Sequence, residues 1–210
     1  MYDETGALYL PSGSGRIRFS RKEIGQMLIA VAVLSFAFFM IMIPGSASTN
    51  VLVFFASVST VAVVTGFLMH ELAHKFMAQR YGAWAEFRIF PLGLLMAVIF
   101  SFMGFVFAAP GAVYISGRLT RLQNGLISLV GPGLNLSLGA AMMFIGMVLP
   151  LTDLSLAVYL IGRINIFLAL FNLLLIPPLD GYKVATWNIG VYVVVMGVTV
   201  VLFLFSMGII

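Results

Sequence analysis

Apolar residues run along this chain in long stretches separated by short polar clusters. No Asp, Glu, Lys or Arg occurs in residues 24–70, 89–117, 122–152 or 184–210. Each gap is long enough for the roughly 20-residue helix that crosses a bilayer. The pattern predicts spans over about 24–43, ending at "PGSAS", then 51–78, 123–149, 154–176 and 185–207. A further apolar stretch covers 91–109, after a polar loop with Arg80, Glu86 and Arg88. The expected fold class is an all-α polytopic membrane protein with about five to six transmembrane helices. A polar arm, 1–23, precedes one membrane domain, 24–210. The first apolar segment follows that arm without a small-residue cleavage site, so it reads as a retained anchor.

Composition sharpens the class. The chain has 210 residues, of which 62% are hydrophobic and 9% charged, against roughly a quarter charged in soluble domains. Its net charge of +4 does not point to nucleic acid, because the basic residues flank apolar segments and act as topology signals. With no cysteine, disulfides and thiolate metal sites are excluded. Thirteen methionines and nineteen phenylalanines read as lipid-facing and packing residues.

Within the second span, "FLMHELAHKF" sets His70, Glu71 and His74 in hydrocarbon, where ionisable groups are costly and mark function. His70-Glu71-Leu72-Ala73-His74 fits HExxH. Residues four apart share a helix face, so both imidazoles can reach one metal ion, and the glutamate can act on a water held there. The chain has only two histidines, and random placement would set them four apart about once in a hundred such sequences.

A catalytic zinc takes a third protein ligand, which here must be a carboxylate. The acidic residues are Asp3, Glu4, Glu23, Glu71, Glu86, Asp153 and Asp180. The first three sit on the arm, Glu71 is taken, Glu86 suits a solvated pairing with Arg88, and Asp153 reads as a loop charge. Asp180 closes "FNLLLIPPLDG", where Pro177 and Pro178 must break a helix and Gly181 permits a sharp turn. A broken helix at membrane depth is tolerated only where it is packed in protein or lines a cavity, so Asp180 is the choice.

Together, HExxH at the end of one span, "GPGLN" (131–135) in a later one and "FNLLLIPPLDG" (171–181) ending the next resemble the site-2 protease family of intramembrane zinc metalloproteases. The resemblance covers a core of about 51–181. It implies one zinc per chain held by His70, His74 and Asp180, with Glu71 as the base. It also implies a substrate or oxyanion contact for Asn172 and a supporting role for Asn135. Leu175 stands where many members have proline, and no PDZ-like or CBS module is expected.

The motifs also constrain topology. Were 91–109 a full crossing, three crossings would separate His74 from Asp180, and the two could not share a metal. The stretch is therefore expected to be re-entrant, with Gly93, Gly104, Pro110 and Gly111 compatible with a bent path. Arg80, Arg88, Arg118, Arg121 and Lys183 then join the arm on the cytoplasmic side, and Asp153 faces outward. Arg163, inside its span, must find a partner or reach the outer headgroups. Gly131 and Gly133 are expected to allow close helix packing.

The expected activity is regulated intramembrane proteolysis at the cell membrane: cleavage of membrane-protein substrates within or near their transmembrane helices. The β-forming "GAVYIS" (111–116) could offer an edge for an extended substrate. The alternative is a membrane metal-ion transporter using His70, His74 and Asp180, which leaves Glu71 without a task. A silent scaffold leaves all four residues unexplained. A protease of the CAAX-processing type needs a glutamate as third ligand, for which only Glu86 is on offer.

Overall fold

A computed structural model of the chain describes residues 17–106 and 110–209. Most of the polar arm (1–16), the end of the third apolar stretch (107–109) and residue 210 lie outside the described residues. Helix α1 spans Arg21–Met42. It starts earlier than hydropathy predicts because Ser20 and Glu23 form a reciprocal capping box, which draws the charged residues into the first turn. Helix α2, Thr49–Val63, runs through a π-helical turn, Val64–Leu68, into α3, Met69–Arg80. Among the described residues, five helices are long and apolar enough to cross a membrane: α1, the continuous Thr49–Arg80, α5 (Arg121–Val148), α6 (Asp153–Asn172) and α8 (Ile189–Ser206).

The polar loop expected after the second span is in fact a strand, β1 (Trp84–Ile89), paired antiparallel with β2 (Gly111–Ser116). Between them lies α4, Pro91–Phe102. Twelve residues rise about 18 Å at 1.5 Å each, short of the roughly 30 Å hydrocarbon core. The register places Ile89 opposite Gly111, and the Phe90 N–H donates to the Pro110 carbonyl at 2.9 Å. The chain thus leaves the hairpin and returns to the same point, as the re-entrant expectation requires. Gly104, at φ +87°, follows α4 in a left-handed conformation that glycine adopts without strain and that stops helices.

Two further boundaries differ from the hydropathy reading. Helix α6 ends at Asn172 and not near 176, because Pro177 disfavours helical backbone at Ile176 and supplies no N–H to the Leu173 carbonyl. After the break, α7 covers Asp180–Trp187. Gly181 makes no sharp turn there: it is helical, and a side chain on it would strike the Leu173 carbonyl. The last crossing helix starts at Ile189, not 185, since the Asn188 side chain caps it by accepting the Val191 N–H at 3.1 Å.

Helices α5 and α6 pack backbone to backbone. A Cβ on Gly162 would lie 2.7 Å from Met143 N and 2.8 Å from the Gly139 carbonyl, so small residues set the spacing, as is common between membrane helices. The main apolar core joins α1 (Leu34, Phe38), the π turn (Phe67), β1 (Phe87), α4 (Leu94, Ala97) and α6 (Leu168). Arg163 reaches Met207 Sδ at 2.9 Å, beside the carboxyl end of α8.

These positions make the path testable, because introduced cysteines meet no native background. Cysteines replacing Arg88 and Arg118 should react with an impermeant thiol reagent from one and the same side of sealed vesicles. A cysteine replacing Asp153 should react from the other side only. Labelling of Arg88 and Arg118 positions from opposite faces would make 91–109 a crossing.

Candidate metal centre

The site is built on α3, directly after the π turn. A π turn carries one residue more than an α turn, which rotates all that follows by about 100°. It also leaves backbone without its usual partner, and here Asn135 Nδ2 of α5 donates to the Gly66 carbonyl at 2.9 Å. On α3, His70 and His74 lie on one face and are both buried. Asp180, buried at the start of α7, reaches them across the break after α6. Its Oδ2 lies 3.3 Å from His70 Nε2 and 3.0 Å from His74 Nε2, and the two Nε2 atoms are 2.9 Å apart.

This donor set fits a single metal ion. His74 Nδ1 lies 2.6 Å from the Ile127 carbonyl; a carbonyl only accepts, so Nδ1 carries the proton. Neutral His74 then turns a lone pair at Nε2 toward Asp180 Oδ2, itself an acceptor, and a cation between them relieves that opposition. Ligands around a tetrahedral zinc with bonds of about 2.0–2.1 Å are separated by about 3.3 Å, within a few tenths of an ångström of the observed spacings. Asp180 lies outside the crossing helices. Burial acts to raise its pKa; protonated, His74 and His70 would outweigh burial and hold it well below the ordinary carboxylate range, and a metal cation between neutral imidazoles acts in the same direction.

Gly131 of α5 forms the floor beneath both imidazoles. A Cβ there would run into His74 Nε2 and lie 2.7 Å from His70 Nε2, whereas one on Gly133 would meet nothing within 4 Å. Gly131 therefore makes room for the ligands. The next α3 face carries Glu71, whose Oε2 accepts the Val113 N–H of β2 at 3.1 Å. A cavity of about 160 Å³ opens over this group, with Leu34, Phe38, Phe67 and Leu168 among its apolar lining and Asn124, Asn172 and Lys183 among its polar lining.

A zinc metalloprotease of Methanocaldococcus jannaschii, provisionally so named (MJ0611), is 39% identical over 181 residues, which cover 85% of this chain and 91% of that protein. The chain belongs to this family of zinc metalloproteases. Two bacterial proteins with the same provisional description are also similar to this protease. YwhC of Bacillus subtilis is 30% identical over 148 residues, 59% of this chain and 65% of that protein. Rip2 of Mycolicibacterium smegmatis is 31% identical over 144 residues, 58% and 55% of the respective chains. No family model and no solved structure matches the chain. The relatives' zinc chemistry and the buried His70, His74 and Asp180 group agree on one zinc site in the protease.

The remaining sequence candidates fall into place around this centre. Asn172 lines the cavity, with its Nδ2 donating to the Leu168 carbonyl one turn back at 3.0 Å. Asn135 is fully buried and donates to Gly66, which lines the cavity. Glu86 bonds Ser20 and pairs with Arg88 at 3.0 Å, but it is buried, not solvated. Sequence reasoning missed three features. The π turn has no compositional mark, and the role of Gly131 depends on which helix faces it. Glu23, set aside on the arm, is fully buried against Lys75.

Zinc binding should follow this geometry. Gly131→Ala should weaken zinc affinity at least about tenfold by pushing the imidazoles apart, while Gly133→Ala leaves it unchanged. Asp180→Ala should weaken it sharply, and Glu86→Ala and Asp153→Ala should not. Competition with a chromophoric chelator reads all five, and equal affinities throughout would exclude this centre.

Proposed function

We propose that the chain is a site-2-protease-like zinc endopeptidase that cleaves membrane proteins within or near their transmembrane helices. One observation carries the reading: a metal-ligand trio, with a carboxylate outside the trio beside it, at the end of a crossing helix and next to a strand edge. His70, His74 and Asp180 hold the zinc. When bound, zinc supplies Lewis acidity that polarises a carbonyl and eases deprotonation of water toward neutral pH.

The chain's own residues do the rest. Val113 occupies Glu71 Oε2, which leaves Oε1 to take the proton of the attacking water and later pass it to the leaving amine. The Val113 N–H points away from β1. By the alternation of an antiparallel pair, Gly111 and Ile115 also turn their backbone groups away from β1, along the cavity. A locally unwound substrate would add to this edge as a strand, which holds the scissile bond extended beside Glu71. The outer edge of β1 is closed to such pairing, because Glu23 takes the Phe87 N–H at 2.8 Å and Lys75 takes the Ala85 carbonyl at 2.9 Å. Asn172 Nδ2 carries a second N–H besides the one given to Leu168, which can serve a substrate carbonyl. The basic residues at this end of the bundle favour placing it on the cytoplasmic side of the cell membrane.

A metal-transport reading explains the ligand trio equally well, but it gives no task to a carboxylate held clear of the ligands by β2. Glu71→Gln separates the two. We expect it to keep zinc near one per chain and to abolish cleavage of a panel of purified membrane-protein substrates. Cleavage at the parent rate would remove Glu71 from the chemistry, and loss of zinc would make it a ligand.

A further inference from the structure

Helix α3 presents two functional stripes. His70 and His74 face the metal; Glu71 and Lys75, also four residues apart, face the hairpin. Glu71 meets β2 through Val113, and Lys75 meets β1. Lys75 is 1% exposed and its partner Glu23 is wholly buried. The ammonium group has three N–H donors, and all three are used: Glu23 Oε1 at 2.7 Å, Glu23 Oε2 at 2.8 Å and the Ala85 carbonyl at 2.9 Å. The Phe19 ring covers it, with the centroid 4.7 Å away. Glu23 Oε1 also accepts the Phe87 N–H. One ion pair therefore binds the start of α1, the outer edge of β1 and the helix that carries the histidines. The hydrolytic steps proposed above do not use it.

We propose that Lys75, with Glu23, is a positioning residue for proteolysis: it fixes the β1–β2 hairpin against α3 so that Val113 meets Glu71 and the open β2 edge faces the metal centre. The route is continuous. Lys75 and Glu23 hold Ala85 and Phe87, β1 holds β2 through the ladder, and β2 delivers the Val113 N–H to the carboxylate four residues before Lys75. The metal ligands take no part in this route. A loosened hairpin thus degrades the placement of Glu71 and of the bound strand while zinc stays in place.

The inference rests on reading the chain as a protease, and its test separates the two. Removing one partner strands a buried charge, so the informative variant is the double Glu23→Gln/Lys75→Met, since neutral replacement of a buried pair often preserves stability. In the full chain, spin labels on cysteines replacing the exposed Phe76 and Tyr114 report the separation of α3 from the hairpin. In the double variant we expect a broadened label distance, one zinc per chain, and kcat lowered roughly ten- to a hundredfold. A folded double variant with parental label distances and parental kcat overturns the proposal. A double variant that does not fold assigns the pair to folding alone and overturns it equally. If the parent itself cleaves no membrane-protein substrate, the protease reading fails, and the label distances still decide whether Lys75 anchors the hairpin.

Discussion

His74 and Asp180 are 106 residues apart in the chain and 3.0 Å apart in space, and most of the architecture follows from the need to bring them together. Two helices, α5 and α6, cross between them, which returns the chain to the side where α3 ends. A third crossing would separate the ligands by the thickness of the membrane. The apolar stretch after β1 therefore has to turn back, and the hairpin makes it do so by bonding its two ends at Phe90 and Pro110. Asp180 must also leave the axis of α6 to face α3, which the break before Pro177 and Pro178 allows. Finally, α5 must pass close under the imidazoles, and Gly131 gives it the clearance.

The same constraint explains why the helix is not a plain α-helix throughout. A crossing helix fixes the direction of every side chain once its start is packed. The contacts of α2 with α6, at Val58, Ala62 and Ile161, set one rotation, while the metal needs another. The π turn at Val64–Leu68 supplies the difference. Its cost is disrupted backbone pairing in an apolar setting, which Asn135 offsets at the Gly66 carbonyl. Phe67, at the turn, packs edge-on against Phe87 of β1 at 5.7 Å, so the turn and the hairpin brace each other.

Much of the centre was legible in the sequence because zinc chemistry demands scarce residue types. With two histidines, no cysteine and seven acids, few ligand sets exist, and crossing parity then pointed to the re-entrant path, with which Gly93, Gly104, Pro110 and Gly111 are compatible. What could not be read was set by tertiary contact. Glu23 lies in "SRKEIG", which looks like a solvated helix start, and its burial depends on Lys75, fifty-two residues later. Strand β1 was hidden because "WAEFRI" is buried at Ala85, Glu86 and Phe87 in succession. Strand β1 packs on both faces and shows no simple alternation, whereas β2 alternates half-buried and exposed residues. The ends of α6 and α8 moved because one side-chain cap or one proline outweighs hydropathy averaged over a window.

A polar centre in hydrocarbon also has to be insulated, and the asparagines show how. Asn165 Nδ2 donates to Thr65 Oγ1 at 2.9 Å and to the Ile161 carbonyl one turn back, and Asn172 Nδ2 donates likewise to Leu168. Thr65 and Gly66 belong to the π turn, so α6 and α5 each contribute an asparagine to the segment where helical pairing is disturbed. An amide suits this position better than a charged group. It donates to a stranded carbonyl without an ion's desolvation penalty, and it adds no charge to compete with His70, His74 and Asp180. Buried charge thus gathers at the metal centre with Glu71 beside it, at the Lys75–Glu23 pair and at Glu86, and the twelve-residue helix α3 contributes side chains to the first two. That arrangement lets a short segment of α3 set the metal, the base and the strand edge together, with neutral amides taking up the backbone disorder behind it.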